Sequence, residues 1–162
     1  MSAPLLTLAE RALRHQLAGE LVQAQAIWRH LVVAEPDNAL ARFYLGTLLG
    51  SLGQYAEAET WLAEAVRLAP DLPELLGNLG VVRQRLGRLE DAVVCYRKAL
   101  TLRHDLLEVH NNLGGALQEL GRAEESLAAY RNAGVTDSAT AANILTTLNL
   151  VPGTREIGRA HV

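Results

Sequence analysis

Apolar and polar positions along this chain recur on two scales. Over short windows, Leu, Val, Ala and aromatic residues return three and four apart, the spacing that gathers them on one face of an α-helix. Over longer ones, whole stretches superimpose. LGTLLGSLGQYAEAETWLAEAVRLAPD from Leu45 lies over LGVVRQRLGRLEDAVVCYRKALTLRHD from Leu79, and both lie over LGGALQELGRAEESLAAYRNA from Leu113. Gly19, Gly53, Gly87 and Gly121 are each 34 residues apart, as are Gly46, Gly80 and Gly114. Ala24, Ala58, Ala92 and Ser126 form a third such column, and Ala65, Ala99 and Ala133 a fourth. Trp28, Leu62, Tyr96 and Tyr130 fill a column of large residues.

Each cycle predicts two amphipathic helices. First helices are expected near 5–18, 39–52, 73–86 and 107–120, and second helices near 21–34, 55–68, 89–102 and 123–133. The glycine after Leu52, Leu86 and Leu120 suits a helix end that needs a left-handed residue. The Leu-Gly pair and the later alanine place small residues where the two helices cross, since larger ones would push the axes beyond the usual ~8–10 Å. Pro36 and Pro70 stand where a second helix must stop, and His104 takes that place in the next cycle. Arg11, Ala12 and His15 depart from the later cycles, as expected of a terminal unit with one face in water.

The period and these columns resemble the tetratricopeptide repeat, a helix–turn–helix of 34 residues. The resemblance covers four repeats, at about 5–38, 39–72, 73–106 and 107–133. It implies an all-α, right-handed superhelical solenoid whose first helices line a concave groove that binds proteins or peptides. Glu74, Gly77, Asn78, Val81 and Gln84 share one face of the third repeat's first helix. Glu108, Asn111, Asn112, Gly115 and Gln118 share its counterpart.

Asn78 and Asn112 are again 34 apart. A primary amide offers two donors and an acceptor, so such a column can hold an extended main chain whatever its sequence. It resembles the asparagine ladder of O-linked N-acetylglucosamine transferases; alternatively each amide bonds within its own repeat or to water. Tyr44 and Glu10 hold the earlier positions, and Phe43 with Tyr44 makes an apolar shelf at that end. A related subclass clamps chaperone C-termini with Lys, Asn and Arg. Here those places carry Ala9, Leu13, Phe43 and Gly77, and Arg85 is the one nearby cation, which weighs against a chaperone adaptor.

Charge and composition narrow the classes further. The chain has 15 basic and 18 acidic residues, a net charge of −3, and no basic block to follow a phosphate backbone, so nucleic-acid binding is not expected. Glu10, Arg11, Arg14 and His15 interrupt any signal-peptide core, and no apolar run reaches the ~18–20 residues of a membrane span; a cytoplasmic protein is expected. Cys95 is the single cysteine and reads as a small hydrophobe. There is no phosphate loop, no His-Glu-x-x-His and no cysteine cluster. His15, His30, His104, His110 and His161 are scattered in the repeat frame. No catalytic residue, metal or cofactor is expected.

After Ala133 the pattern changes to GVTDSATAANILTTLNLVPG. A capping helix is expected over 136–150, started by Thr136–Ser138 and bearing an apolar stripe of Ala142, Leu145 and Leu148 over the fourth repeat's open edge. Asn143, Leu145, Leu148, Asn149 and Pro152 also resemble the segment by which Spindly-type and bacterial O-linked N-acetylglucosamine transferases leave their last repeat. Ile144 and Leu150 depart from it, and the preceding turn is about three residues short. Residues 151–162 are expected to be a disordered tail. Glu156–Val162, EIGRAHV, back-translates to the start of a common sequencing adapter, so the gene is expected to continue beyond Arg155. The leading reading is a protein- or peptide-binding module with no membrane partner. The alternative is the substrate-recognition arm of a truncated glycosyltransferase.

Overall fold

The structure, a computed structural model, describes residues 3–134 and 138–151. Its described residues form helices α1 (Ala3–Leu17), α2 (Leu21–Ala34), α3 (Ala39–Ser51), α4 (Tyr55–Leu68), α5 (Pro73–Arg85), α6 (Leu89–Leu102), α7 (Leu107–Glu119), α8 (Ala123–Ala133) and α9 (Ser138–Leu148), with no strand among them. Each odd-numbered helix up to α7 pairs with the next as an antiparallel hairpin, and the hairpins stack in chain order into a solenoid. The sequence pattern therefore located the repeat helices almost to the residue. The expected Thr136 start of α9 and the tail from Pro152 lie outside the described residues.

One turn is built four times. Gln54 N–H donates to Leu49 O at 2.9 Å and Gly53 N–H to Gly50 O at 3.0 Å, with Gly53 at φ +76°. Arg88 with Gly87, Arg122 with Gly121 and Glu20 with Gly19 repeat the same pair of bonds. Only glycine enters this left-handed region cheaply, and the two bonds satisfy carbonyls that the ending helix leaves open.

The hairpins close on the second glycine column. A Cβ on Gly80 would lie 2.5 Å from the Tyr96 ring, one on Gly114 2.7 Å from Tyr130, and one on Gly46 2.7 Å from Leu62. Trp28, Leu62, Tyr96 and Tyr130 are all buried. One apolar cluster joins Ala12, Trp28, Leu31, Leu45, Leu62 and Leu79 across three repeats, and a second joins Leu76, Tyr96, Val109 and Leu117 across the last two. Cys95 belongs to this interior: burial pushes its thiol up even though Arg83 Nη1 sits 3.2 Å from Sγ.

At the ends the polarity is uneven. Arg11 is exposed, as a terminal unit requires, and His15 pairs with Glu20. On α9 the expected apolar stripe is corrected: Ala142 and Leu145 face solvent, Leu145 at 63% exposure, and Leu148 is half-buried. The inward face is instead polar, with Thr140 and Thr147 fully buried against α7. Thr140 Oγ1 accepts from the Asn111 amide of α7, while Thr147 Oγ1 donates within α9 to Asn143 O at 2.7 Å, and α9 packs chiefly against α8.

Gly80→Leu is expected to cost about 1–3 kcal/mol or more, because even its Cβ collides with the Tyr96 ring. Gly53→Ala meets nothing within 4 Å and is expected to cost about 1–2 kcal/mol through its backbone alone. Urea unfolding followed by circular dichroism measures both. A Gly80→Leu variant as stable as the parent would remove the helix-crossing role from this column.

Candidate functional site

Several hollows lie between successive first helices, among them one of about 340 Å³ between α3 and α5, bordered by Thr47, Gly50, Asn78 and Val82, and two homologous clefts. The larger, about 790 Å³, lies between α1 and α3 and is lined by residues including Ala9, Glu10, Leu13 and Tyr44, with the α2–α3 turn across its end. The smaller, about 250 Å³, lies between α5 and α7; Glu74, Gly77, Asn78 and Val81 face Asp105–Val109 and Asn112. The two clefts are homologous: Ala9, Glu10, Leu13 and Tyr44 correspond to Gly77, Asn78, Val81 and Asn112 at repeat spacing. Glu10, Tyr44, Asn78 and Asn112 therefore all line the groove.

Their amides differ in freedom. Asn78 Nδ2 donates to Glu74 O at 2.9 Å, within its own helix, leaving one N–H and Oδ1. Asn112 makes no side-chain hydrogen bond among the described residues and also borders a further hollow with Val81, Gln84, Arg85 and Glu119. Arg85 is exposed there and makes no ion pair among the described residues. At the smaller cleft, the backbone N–H of Glu74 holds that residue's carboxyl below the usual range, and Arg103 adds to the effect.

Three other groove candidates, Asn111, Gln84 and Gln118, bond to scaffold groups. Asn111 Nδ2 donates to Thr140 Oγ1 at 3.1 Å, so it ties α7 to α9 and does not face the clefts. The buried Tyr96 hydroxyl donates to Gln84 Oε1 at 3.0 Å, and the Tyr130 hydroxyl to Gln118 Oε1 at 3.3 Å. Thr147 Oγ1 lies 3.3 Å from the same Gln118 oxygen. Burial raises both phenols above their ordinary range, which keeps them as neutral donors. In the first repeat Trp28 Nε1–H donates to Gln16 Oε1 at 3.0 Å. In the second, the large residue is Leu62, which needs no partner, and the matching position is Gly50. The glutamines are thus the polar handles of the aromatic column.

Tyr44 stacks on Trp28, with ring centroids 4.8 Å apart and planes 16° from parallel. Phe43 packs half-buried against Tyr44 and the core and is absent from the cleft lining. The shelf at this end is therefore Tyr44 with Trp28 beneath it.

The structure adds one residue. Gly77 faces Val109, and Asn111, one repeat on, faces Thr140. Thr140 thus takes the place of Val109, and counting three residues on from each puts Asn143 in the column of Asn78 and Asn112. The interval there falls from 34 to 31 residues, which hid it from a fixed-period alignment. The same shift sets Leu145 in the crossing-glycine column, the face that a second helix covers in each repeat.

Two family models match the sequence, one described as tetratricopeptide repeat over residues 7–73 and one as TPR repeat over residues 85–121. No curated protein matches it. Among solved structures, MamA superposes with a TM-score of 0.85 at 17% identity, covering 97% of this chain and 87% of that one. The first TPR of Spaghetti (RPAP3), bound to an HSP90 peptide, gives a TM-score of 0.70 at 25% identity over 72% of this chain and 92% of that one. The Thermobaculum terrenum O-GlcNAc transferase gives 0.75 at 28% identity, over 81% of this chain but 26% of the transferase.

Gln84→Leu leaves the Tyr96 hydroxyl buried without its acceptor and is expected to cost about 1–3 kcal/mol. Adding Tyr96→Phe is expected to restore much of that loss, a coupling that thermal unfolding of the two single variants and the double variant measures. Strict additivity would show that the pair is not bonded.

Proposed function

The chain belongs to the tetratricopeptide repeat family, and we propose that it binds extended protein segments along the groove formed by its first helices. The observation that carries this reading is the amide column. Asn78, Asn112 and, by register, Asn143 stand on successive first helices, and the side-chain amides of Asn112 and Asn143 make no hydrogen bond among the described residues. Such a column grips main-chain N–H and C=O groups and tolerates many side chains. The Spaghetti repeat bound to an HSP90 peptide supports a peptide ligand for this architecture. Its carboxylate clamp is not expected here, because Ala9, Leu13, Phe43 and Gly77 replace the charged and amide positions, leaving Arg85.

A second reading makes the groove the substrate-recognition arm of a glycosyltransferase. It is favoured by the 28% identity to the transferase repeat region and by the Asn143 segment. The described helices carry no group of three or more His, Cys, Asp or Glu arranged for a metal. In this reading the catalytic chemistry belongs to residues outside the chain, and the groove's role is unchanged: it presents an extended substrate.

Asn78→Ala with Asn112→Ala is expected to weaken binding of unrelated extended peptides alike, by about 1–3 kcal/mol for each amide removed. Calorimetric titration against a panel of unrelated sequences reads the loss, with circular dichroism to confirm folding. Unchanged binding across the panel would assign both amides to the scaffold alone.

A further inference from the structure

The 34-residue column of Ala9, Phe43, Gly77 and Asn111 alternates between small and large side chains. The position faces the next first helix, as the contacts of Gly77 with Val109 and of Asn111 with Thr140 establish. In the fourth repeat Asn111 fills it through its hydrogen bond to Thr140, and in the second it holds the bulky Phe43, which packs on Tyr44. The small residues Ala9 and Gly77 leave it open in the first and third, where the two clefts lie.

The first cleft is the larger. Leu13, Trp28, Leu31, Leu40 and Tyr44 give it apolar walls, with Leu40 53% exposed at its edge. Its rim carries three carboxylates, Glu10, Glu35 and Asp37, and no Lys or Arg lines it. Glu35 accepts from Asn38 Nδ2 at 2.6 Å, whereas Glu10 and Asp37 are exposed and have no ion pair among the described residues. An apolar hollow ringed by negative charge selects against acidic flanks and favours basic ones.

We propose that the α1–α3 cleft holds a bulky apolar side chain of a partner peptide, with Lys or Arg beside it in the sequence to meet Glu10 and Asp37. The proposal rests on the groove reading above and specifies what one end of the groove selects. Apolar area at the anchor supplies most of the affinity, and the rim carboxylates set the charge preference. Ala9→Phe places in this column the residue that Phe43 already places one repeat on, so it fills the cleft with a side chain the architecture accommodates.

The test uses three labelled peptides on one Gly/Ser background: Leu-Trp flanked by lysines, Leu-Trp flanked by glutamates, and the lysines without Leu-Trp. Fluorescence anisotropy is expected to show the first binding about tenfold or more tighter than either other peptide. Ala9→Phe, folded by circular dichroism, is expected to lose that advantage. Glu10→Gln with Asp37→Asn is expected to bring the two flanked peptides together and to flatten the salt dependence. Equal binding of the acidic and basic peptides overturns the proposal, as does undiminished binding by Ala9→Phe. If Ala9→Phe is silent while Asn78→Ala with Asn112→Ala still weakens binding, the cleft assignment fails and the groove reading stands. If none of the three peptides binds the parent, both fail. A concentration-dependent dimer in sedimentation that Ala9→Phe abolishes would assign the cleft to a second copy of this chain and likewise overturn the proposal.

Discussion

A glycine with a large side chain pressed onto it, an aromatic ring in the third and fourth repeats, sets the geometry of each later repeat. Where a Cβ on Gly80 would stand 2.5 Å from the Tyr96 ring, the helix crossing has no room for a side chain at that position of α5. That closeness fixes how α5 crosses α6, and the crossing fixes how the hairpin offers its outer faces to the neighbouring repeats. Repeated at Gly114 with Tyr130, and at Gly46 with Leu62, it turns a local packing choice into a regular stack. Stability in such a stack is a sum of hairpins and their interfaces, so the groove exists only as far as this contact is repeated.

The aromatic column brings a polar cost that the same repeats meet locally. A buried phenol or indole needs an acceptor, and Gln16, Gln84 and Gln118 supply one twelve residues before Trp28, Tyr96 and Tyr130. Leu62 has no such need, and Gly50 stands in the glutamine's place. The pairing is thus a chemical dependence between two columns, visible within one chain. A different column, from Ala9 to Asn111, varies between small and large while the crossing glycines stay constant, and the small residues Ala9 and Gly77 stand beside the two homologous clefts.

Most of the fold was legible in the sequence because a repeat states its geometry several times over. Gly53, Gly87 and Gly121 announced the turns, and the structure gives each the left-handed backbone that only glycine takes without strain. The 34-residue spacing of Glu10, Tyr44, Asn78 and Asn112, which line the two homologous clefts, was legible for the same reason. Legibility ended where a side chain's direction depends on a partner from another helix. Gln84 and Gln118 share the groove-facing stripe, yet their carbonyls turn to phenols on α6 and α8. Asn111 turns to Thr140 across an irregular turn, and that turn moved Asn143 out of the 34-residue register. On α9 an apolar stripe suggested an inward face, but the hydroxyls of Thr140 and Thr147 face the amides of α7, and the stripe was left outside.

A direct measurement of where this protein meets a ligand is a nitrogen–proton correlation spectrum recorded while the lysine-flanked Leu-Trp peptide is titrated in. The side-chain amide signals of Asn78 and Asn112 are expected to move together with backbone signals of α1, α3, α5 and α7. Shifts confined to α4 and α6, with both asparagine amides unmoved, would place the binding surface on the second helices and contradict a groove lined by the first.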